Sequence, residues 1–245
     1  MHVPTFLDAL SPVELALIHG RGRIRSLSRG EVLFCEGDRR ARPAVILDGF
    51  VRLERNAADG SRAVLGLRGP GEVTGELPCL DGAGQPIEAN ALTQARVLAI
   101  PATVLEEIVS TNATACASIA EGLVQQLRWL YEACNDSMNG VARARVAGRL
   151  LDIADIVGEV KDGAIEMTTP ISQADVAGMS GVCRESATRV IADLKRQGAV
   201  TYSGRRLRIL RPDVLERIRC AGRGAGPFRS RPEAGSRRSP APPGA

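Results

Sequence analysis

The hydrophobic period of this chain changes once, near residue 102, and that change decides what it can fold into. Before it, apolar residues come in short runs: "EVLFCEG" at 31–37, "PAVILDG" at 43–49, "FVRLERN" at 50–56 and "RAVLGLR" at 62–68. Turn-forming residues separate them, including "AADGS" at 57–61 and the glycines of "GPGEVTGELPCLDG". A last run, "ANALTQARVLAIP", occupies 89–101. Short apolar runs bounded by Gly, Pro and Asp are strands joined by tight turns. An all-β barrel or sandwich is therefore expected over roughly 20–101. Past 102 the spacing becomes helical. Residues 102–138 hold no Pro and one Gly, Gly122, while Ile108, Ala115, Ile119, Leu123, Leu127, Leu130 and Cys134 fall on one stripe. That predicts one long helix. Its stripe can be buried on its own domain or against a twin in a dimer.

Smaller signals flank these two regions. In "SPVELALIH" at 11–19, Ser11 as N-cap, Pro12 at N1 and Glu14 at N3 predict a short helix. "NG" at 139–140 ends the long helix. "VARARVAGRLLDIADIVG" starts another, with Ala142, Val146, Leu150, Ile153 and Val157 on one side. Residues 161–170 read as a polar connection. Ser172 and Asp175 then form an S-x-x-D capping pair. A first helix is expected over about 173–179, a break at Ser180 and Gly181, and a second helix over about 184–197, stopped by Gly198.

Val176, Ala177 and Val182 can pack inward with Ala187, Val190, Ile191 and Leu194, leaving Arg184, Glu185, Ser186, Thr188 and Arg189 on the exposed face near the helix start. This is helix-turn-helix organisation. Its side chains suit base edges: Arg donates two parallel bonds to guanine O6 and N7, Glu accepts from cytosine N4, and Ser and Thr reach phosphates or bases. "AVTYSGRRLRILRP" follows as strand, two-residue turn at Ser203 and Gly204, and strand. It places Arg205, Arg206 and Arg208 at a hairpin tip, as in a winged helix, where they would hold the DNA backbone.

Composition excludes several classes. No apolar run approaches the 18 residues of a membrane span. The start lacks a basic region followed by an apolar core, so a cytoplasmic protein is expected. Aromatic content of 3% argues against stacking platforms for single strands. The two histidines, His2 and His19, precede the β region, and the six cysteines lack C-x-x-C spacing. Metal and iron–sulfur sites are not expected, nor is a cupin-type enzyme. Charge is uneven: residues 1–140 carry 13 Lys and Arg against 17 Asp and Glu, net −4, and residues 141–245 carry 19 against 11, net +8. A basic half fits a polyanion such as double-stranded DNA. Part of that charge sits in residues 221–245, a Gly-, Pro-, Ser- and Arg-rich stretch expected to be disordered.

Over about residues 20–215 the chain resembles the cyclic AMP receptor and fumarate–nitrate regulator (Crp/Fnr) family of bacterial transcription factors. Three stretches carry the resemblance in order. "GEVTGELPCLDG" is similar to the phosphate-binding cassette, the helix at 104–138 to the dimerisation helix, and "ISQADVAGMSGVCRESATRVIADLKRQGAV" to the helix-turn-helix. The resemblance implies an α+β chain: a jelly-roll cyclic-nucleotide-binding-like domain at 1–101, a dimerisation helix at 102–138 and a winged helix-turn-helix at 141–215. It implies a homodimer reading a palindromic operator, through TGTGA-like half-sites contacted by Arg184, Glu185 and Arg189, with RNA polymerase as a further partner.

Departures from the family pattern bear on the effector. Glu76 matches the Glu that binds a ribose hydroxyl, and Gly82 and Gly84 could offer backbone N–H groups. Pro86 and Ile87 stand where Arg and Ser hold the cyclic phosphate. On the long helix Tyr131 keeps a hydroxyl where the family contacts adenine, and Leu130 does not. The pocket is thus expected to take a small effector other than cyclic AMP, or none, which would leave a constitutive regulator. A cyclic-nucleotide signalling module without DNA contact is the remaining alternative. Cys183 replaces the usual Ser before the Arg-Glu pair. It is either a small replacement with weaker capping or a redox-sensitive thiol.

Overall fold

The computed structural model describes residues 4–56, 62–139, 141–203 and 206–222. The "AADGS" turn, Gly140, Arg205 and the tail beyond 222 lie outside these described residues. After a short 3-10 turn at Leu7–Ala9 comes α1 (Pro12–Arg21). Its capping box is complete: Ser11 Oγ accepts from the Glu14 N–H at 3.3 Å, and Glu14 accepts from the Ser11 N–H at 2.7 Å. Those bonds hold the Glu14 carboxyl below its ordinary range.

Eight strands follow: β1 (Arg23–Leu27), β2 (Val32–Phe34), β3 (Ala44–Asp48), β4 (Val51–Asn56), β5 (Arg62–Arg68), β6 (Val73–Thr74), β7 (Glu88–Ala91) and β8 (Ala95–Ala99). Helix α2 (Leu77–Asp81) lies between β6 and β7. They build two antiparallel sheets, ordered β1-β8-β3-β6 and β2-β7-β4-β5. Leu27, Ile46 and Val97 from one sheet meet Phe34, Val51, Leu53 and Ala89 from the other in one apolar core. Of the barrel or sandwich expected from the short runs it is the sandwich, and it agrees with the jelly roll that the resemblance implied. The run at 89–101 is two strands, not one: residues 92–94 turn the chain, so β7 pairs with β4 while β8 pairs with β1 and β3.

The single helix expected over 102–138 is two, α3 (Ala102–Thr111) and α4 (Ala113–Asn139). Asn112 breaks it. Its backbone leaves the helical region at φ −113°, ψ 98°, and its Oδ1 accepts from the N–H groups of Thr114 and Ala115, which caps α4. That is the N-cap chemistry of Asn. Its Nδ2 donates to the Ala9 carbonyl and the Glu14 carboxylate, so the break is tied to α1. Ile108, Ala115 and Ile119 are buried against α1 and β8.

Next come α5 (Ala142–Val157), β9 (Gly158–Lys161), β10 (Ala164–Met167), α6 (Gln173–Ser180), α7 (Arg184–Arg196), β11 (Val200–Ser203), β12 (Arg206–Ile209) and α8 (Pro212–Gly222). The supposed polar connection at 161–170 contains half a hairpin. Asp162 at φ 51° and Gly163 at φ 74° turn the chain so that Lys161 pairs with Ala164, an Asp-Gly hairpin turn. The wing is consequently a four-stranded sheet, ordered β11-β12-β10-β9.

Candidate nucleic-acid interface and effector pocket

Local chemistry sets the two helices at their angle. Ser172 and Asp175 cap α6 reciprocally: Ser172 Oγ accepts from the Asp175 N–H at 3.1 Å, and the Asp175 carboxylate accepts from the Ser172 N–H at 2.9 Å. Gly181 ends α6 in the left-handed region at φ 60°, where an L side chain would be strained. Three residues later α7 starts. Ala187, Val190, Ile191 and Leu194 are buried in the domain core with Val176, Ala177 and Leu207.

The opposite face of α7 is open. Arg184, Glu185, Thr188 and Arg189 are exposed and Ser186 is half-buried. The Glu185 carboxyl is held below its ordinary range, first by its own backbone N–H, then by the Cys183 thiol and the charges of Arg184 and Arg189. Thr188 is tethered, donating to Gln173 Oε1 on α6 at 3.1 Å. Cys183 occupies the N-cap with no capping bond, and its thiol instead donates to Ser186 Oγ at 3.1 Å.

On the wing, Lys195 of α7 lies 5.2 Å from the centroid of the Tyr202 ring on β11. The ladder pairs Ser203 with Arg206, so Ser203, expected in the turn, is a strand residue; Gly204 lies outside the described residues. Arg206 is exposed and Arg208 half-buried; Arg205 lies outside the described residues.

In the β domain, Glu76 occupies the N-cap of α2 and is 5% exposed. Burial pushes its carboxyl above the ordinary range, against the opposing charge of Arg68. The surrounding cavity, lined by Phe34, Leu53, Gln85, Ile87 and Gln126 among others, has a volume of about 10 Å³. That is room for about one water. Arg68, buried and unforeseen from sequence, donates to Gln126 Oε1 at 2.8 Å and to the Gly122 carbonyl at 3.3 Å.

The other expected effector residues fare differently. The Gly82 N–H is already used on the Pro78 carbonyl at 3.1 Å. Gly84 packs so closely that a Cβ would sit 2.8 Å from the Gly37 carbonyl oxygen. Tyr131 does not reach the pocket and is 65% exposed. Five residues of α-helix rotate it about 140° away from Gln126. Among the described residues no group of three or more His, Cys, Asp or Glu could hold a metal, and no helix is long and apolar enough to cross a membrane.

A second missed cluster lies between the domains. The Asp175 carboxylate is 2.6 Å from Arg52 Nη1 on β4 and 3.1 Å from Arg29 Nη2. Nearby, the Arg149 guanidinium lies 4.1 Å from the centroid of the Trp129 ring, and Trp129 Nε1 donates to the Val64 carbonyl at 3.3 Å. One sequence signal existed for Arg52: a charge repeated at the alternate positions of a strong strand.

Comparison with known proteins agrees with this layout. The family model described as "Cyclic nucleotide-binding domain" matches residues 24–112, and "Crp-like helix-turn-helix domain" matches residues 144–218. The chain is 26% identical over 189 residues to a CRP-like cAMP-activated global transcriptional regulator of Mycobacterium tuberculosis, covering 77% of this chain and 84% of that one. It is 29% identical over 196 residues to the transcriptional regulator LdrP of Thermus thermophilus, covering 79% and 95%. Among solved structures, a CRP-family transcriptional regulator from Thermus thermophilus matches at TM-score 0.67 and 27% identity, over 82% of this chain and 100% of that one. FixK2 from Bradyrhizobium japonicum shares the fold at TM-score 0.70 and 21% identity, over 80% and 96%.

Proposed function

Because the chain belongs to the Crp/Fnr family of DNA-binding transcriptional regulators, we propose that it acts as a homodimer whose two α7 helices enter successive major grooves of a palindromic operator. The observation that carries this reading is the open N-terminal face of α7, with Arg184, Glu185 and Arg189 exposed above a buried apolar face. Arg184, Glu185 and Arg189 read base edges in TGTGA-like half-sites, Ser186 and Thr188 steady the approach, and the wing arginines Arg205, Arg206 and Arg208 hold the backbone.

Helix α4 supports the dimer. Ala117, Ala120, Val124, Leu127, Tyr131 and Cys134 are all exposed and recur at alternating spacings of three and four. That is a coiled-coil seam. Ala115 and Ile119 face the β domain, which leaves the exposed stripe free for the twin that the homodimer reading requires. Two-fold pairing there sets the half-sites one helical turn apart, about 34–36 Å.

The pocket favours a regulator that does not depend on cyclic AMP. Pro86 and Ile87 bring no charge or hydroxyl, and the Glu76 cavity of about 10 Å³ is filled by the chain's own side chains. A constitutive DNA-binding form is the second reading, and the Arg68–Gln126 bond between β5 and α4 favours it. Selection from a random duplex pool tests both readings. Enrichment of a two-fold symmetric site, equal with and without cyclic AMP, is expected. An asymmetric site, or enrichment only with cyclic AMP, contradicts them.

A further inference from the structure

Beyond the covalent connection after Asn139, a buried ionic cluster also joins the two domains. On β4, Val51 and Leu53 face the sandwich core, so Arg52 and Glu54 point from the other face. That face is covered: Arg52 is 8% exposed and Glu54 2%. Part of the cover is α6. A Cβ on Gly178 would lie 3.0 Å from the Arg62 carbonyl oxygen of β5. Arg52 Nη1 donates to Asp175 Oδ1 at 2.6 Å, and its Nε forms an ion pair with Glu54 Oε2 at 2.7 Å, out of line for a hydrogen bond. Glu54 is held in turn by Asn90 Nδ2 at 2.5 Å, from the cross-strand neighbour of Arg52. Arg29 closes the outer side, donating to Asp175 Oδ2 at 3.1 Å and to the Pro170 carbonyl at 3.0 Å.

We propose that Arg52 is a positioning residue for DNA binding, which clamps α6 to the β domain and so fixes the spacing at which two copies of α7 meet an operator. The inference rests on the homodimer reading. Asp175 is the N3 residue of the α6 capping box, bonded back to Ser172, so a force on its carboxylate moves the helix and not a loose side chain. Thr188 and Gln173 pass that orientation to α7. The clamped arrangement leaves the α7 face exposed, so it presents the reading helix. A planar guanidinium can serve two carboxylates in different directions at once, which a Lys ammonium on one stem cannot. Without Arg52 the helix-turn-helix keeps the Arg29 contacts and the apolar packing of α5 and α6 on Val64 and Leu67, but loses the buried bond that fixes the start of α6. Its effective concentration at the second half-site then depends less on spacing.

The test uses the full chain and operators whose half-site separation is changed by one base pair either way, beside a single half-site duplex. The variants are Arg52→Lys, and the double variant Arg52→Met with Glu54→Gln, which removes both charges of the buried pair together. For the native sequence, a one-base-pair change is expected to cost at least about tenfold in affinity. Both variants should keep the native half-site affinity while losing most of that discrimination. Variants that discriminate spacing as the native sequence does overturn the proposal. So does a parallel loss of half-site affinity, which marks damage to the fold. If the native sequence itself shows no spacing preference, the homodimer reading fails first, and this inference with it.

Discussion

Arg68 on β5 donates to Gln126 on α4 at 2.8 Å, beside the buried carboxyl of Glu76. With the bonds from Arg68 to the Gly122 carbonyl and from Trp129 to the Val64 carbonyl, it joins the β domain to the helix that carries the proposed dimer seam. Gln126→Ala is expected to loosen that junction without creating a phosphate site. Calorimetry should still show no tight cyclic AMP binding; tight binding by the variant would mean that Gln126 alone closes the pocket.

Glu76 gives a pH-dependent prediction. Its folded-state pKa is raised by burial, so the folded state binds the proton more tightly than the unfolded chain. Stability therefore falls as pH rises from the ordinary carboxylate range through the raised value. Glu76→Gln removes that penalty. Thermal melts should show the variant gaining on the native sequence at neutral pH, with the gain shrinking towards pH 4. A variant equally or less stable at pH 7 would show that the charge of Arg68 outweighs the burial.

The cysteines should separate by reactivity. Cys79 is half-buried, and burial with the charges of Glu106 and Glu76 pushes its thiol up to about 11. The other five are exposed. Alkylation at pH 8 followed by peptide mass spectrometry should find Cys79 the slowest to react, since the thiolate is the nucleophile. Early labelling of Cys79 would contradict the burial.

Cys183 sits at the N-cap of α7 without capping it. Cys183→Ser supplies a hydroxyl there and should stabilise the protein by about 0.5–1 kcal/mol. Ser172→Ala works the other way on α6 and should cost about 1 kcal/mol, more if the orientation of Asp175 is lost with it. Urea unfolding measures both. An unchanged midpoint for Cys183→Ser would contradict the gain expected from a hydroxyl cap.

What was legible in sequence was what neighbouring residues decide. Ser11 with Glu14, Ser172 with Asp175, and Gly181 are caps and a helix stop written within four residues, and each is found where expected. The α7 face was legible because a 3.6-residue period separates Ala187, Val190, Ile191 and Leu194 from Arg184 and Arg189. Three kinds of feature were not. Asn112 breaks a helix by capping, against an unbroken apolar stripe. Asp162 with Gly163 is a hairpin signal hidden in a short polar stretch. The buried partners of Arg52, Arg68 and Asp175 were not legible because they lie 50 to 120 or more residues away in the chain. On α4 the residue that lines the Glu76 cavity is Gln126, while Tyr131 is exposed.

The claim that α7 reads base edges is tested most directly by binding Arg184→Ala and Arg189→Ala to a set of operators substituted at each half-site position. Each variant should lose about 1–3 kcal/mol on the native operator and should no longer discriminate at one base pair. Arg206→Ala, by contrast, should weaken all sequences alike and reduce the salt slope by about 1. A uniform loss across sequences for Arg184→Ala and Arg189→Ala, or no loss, would contradict the account.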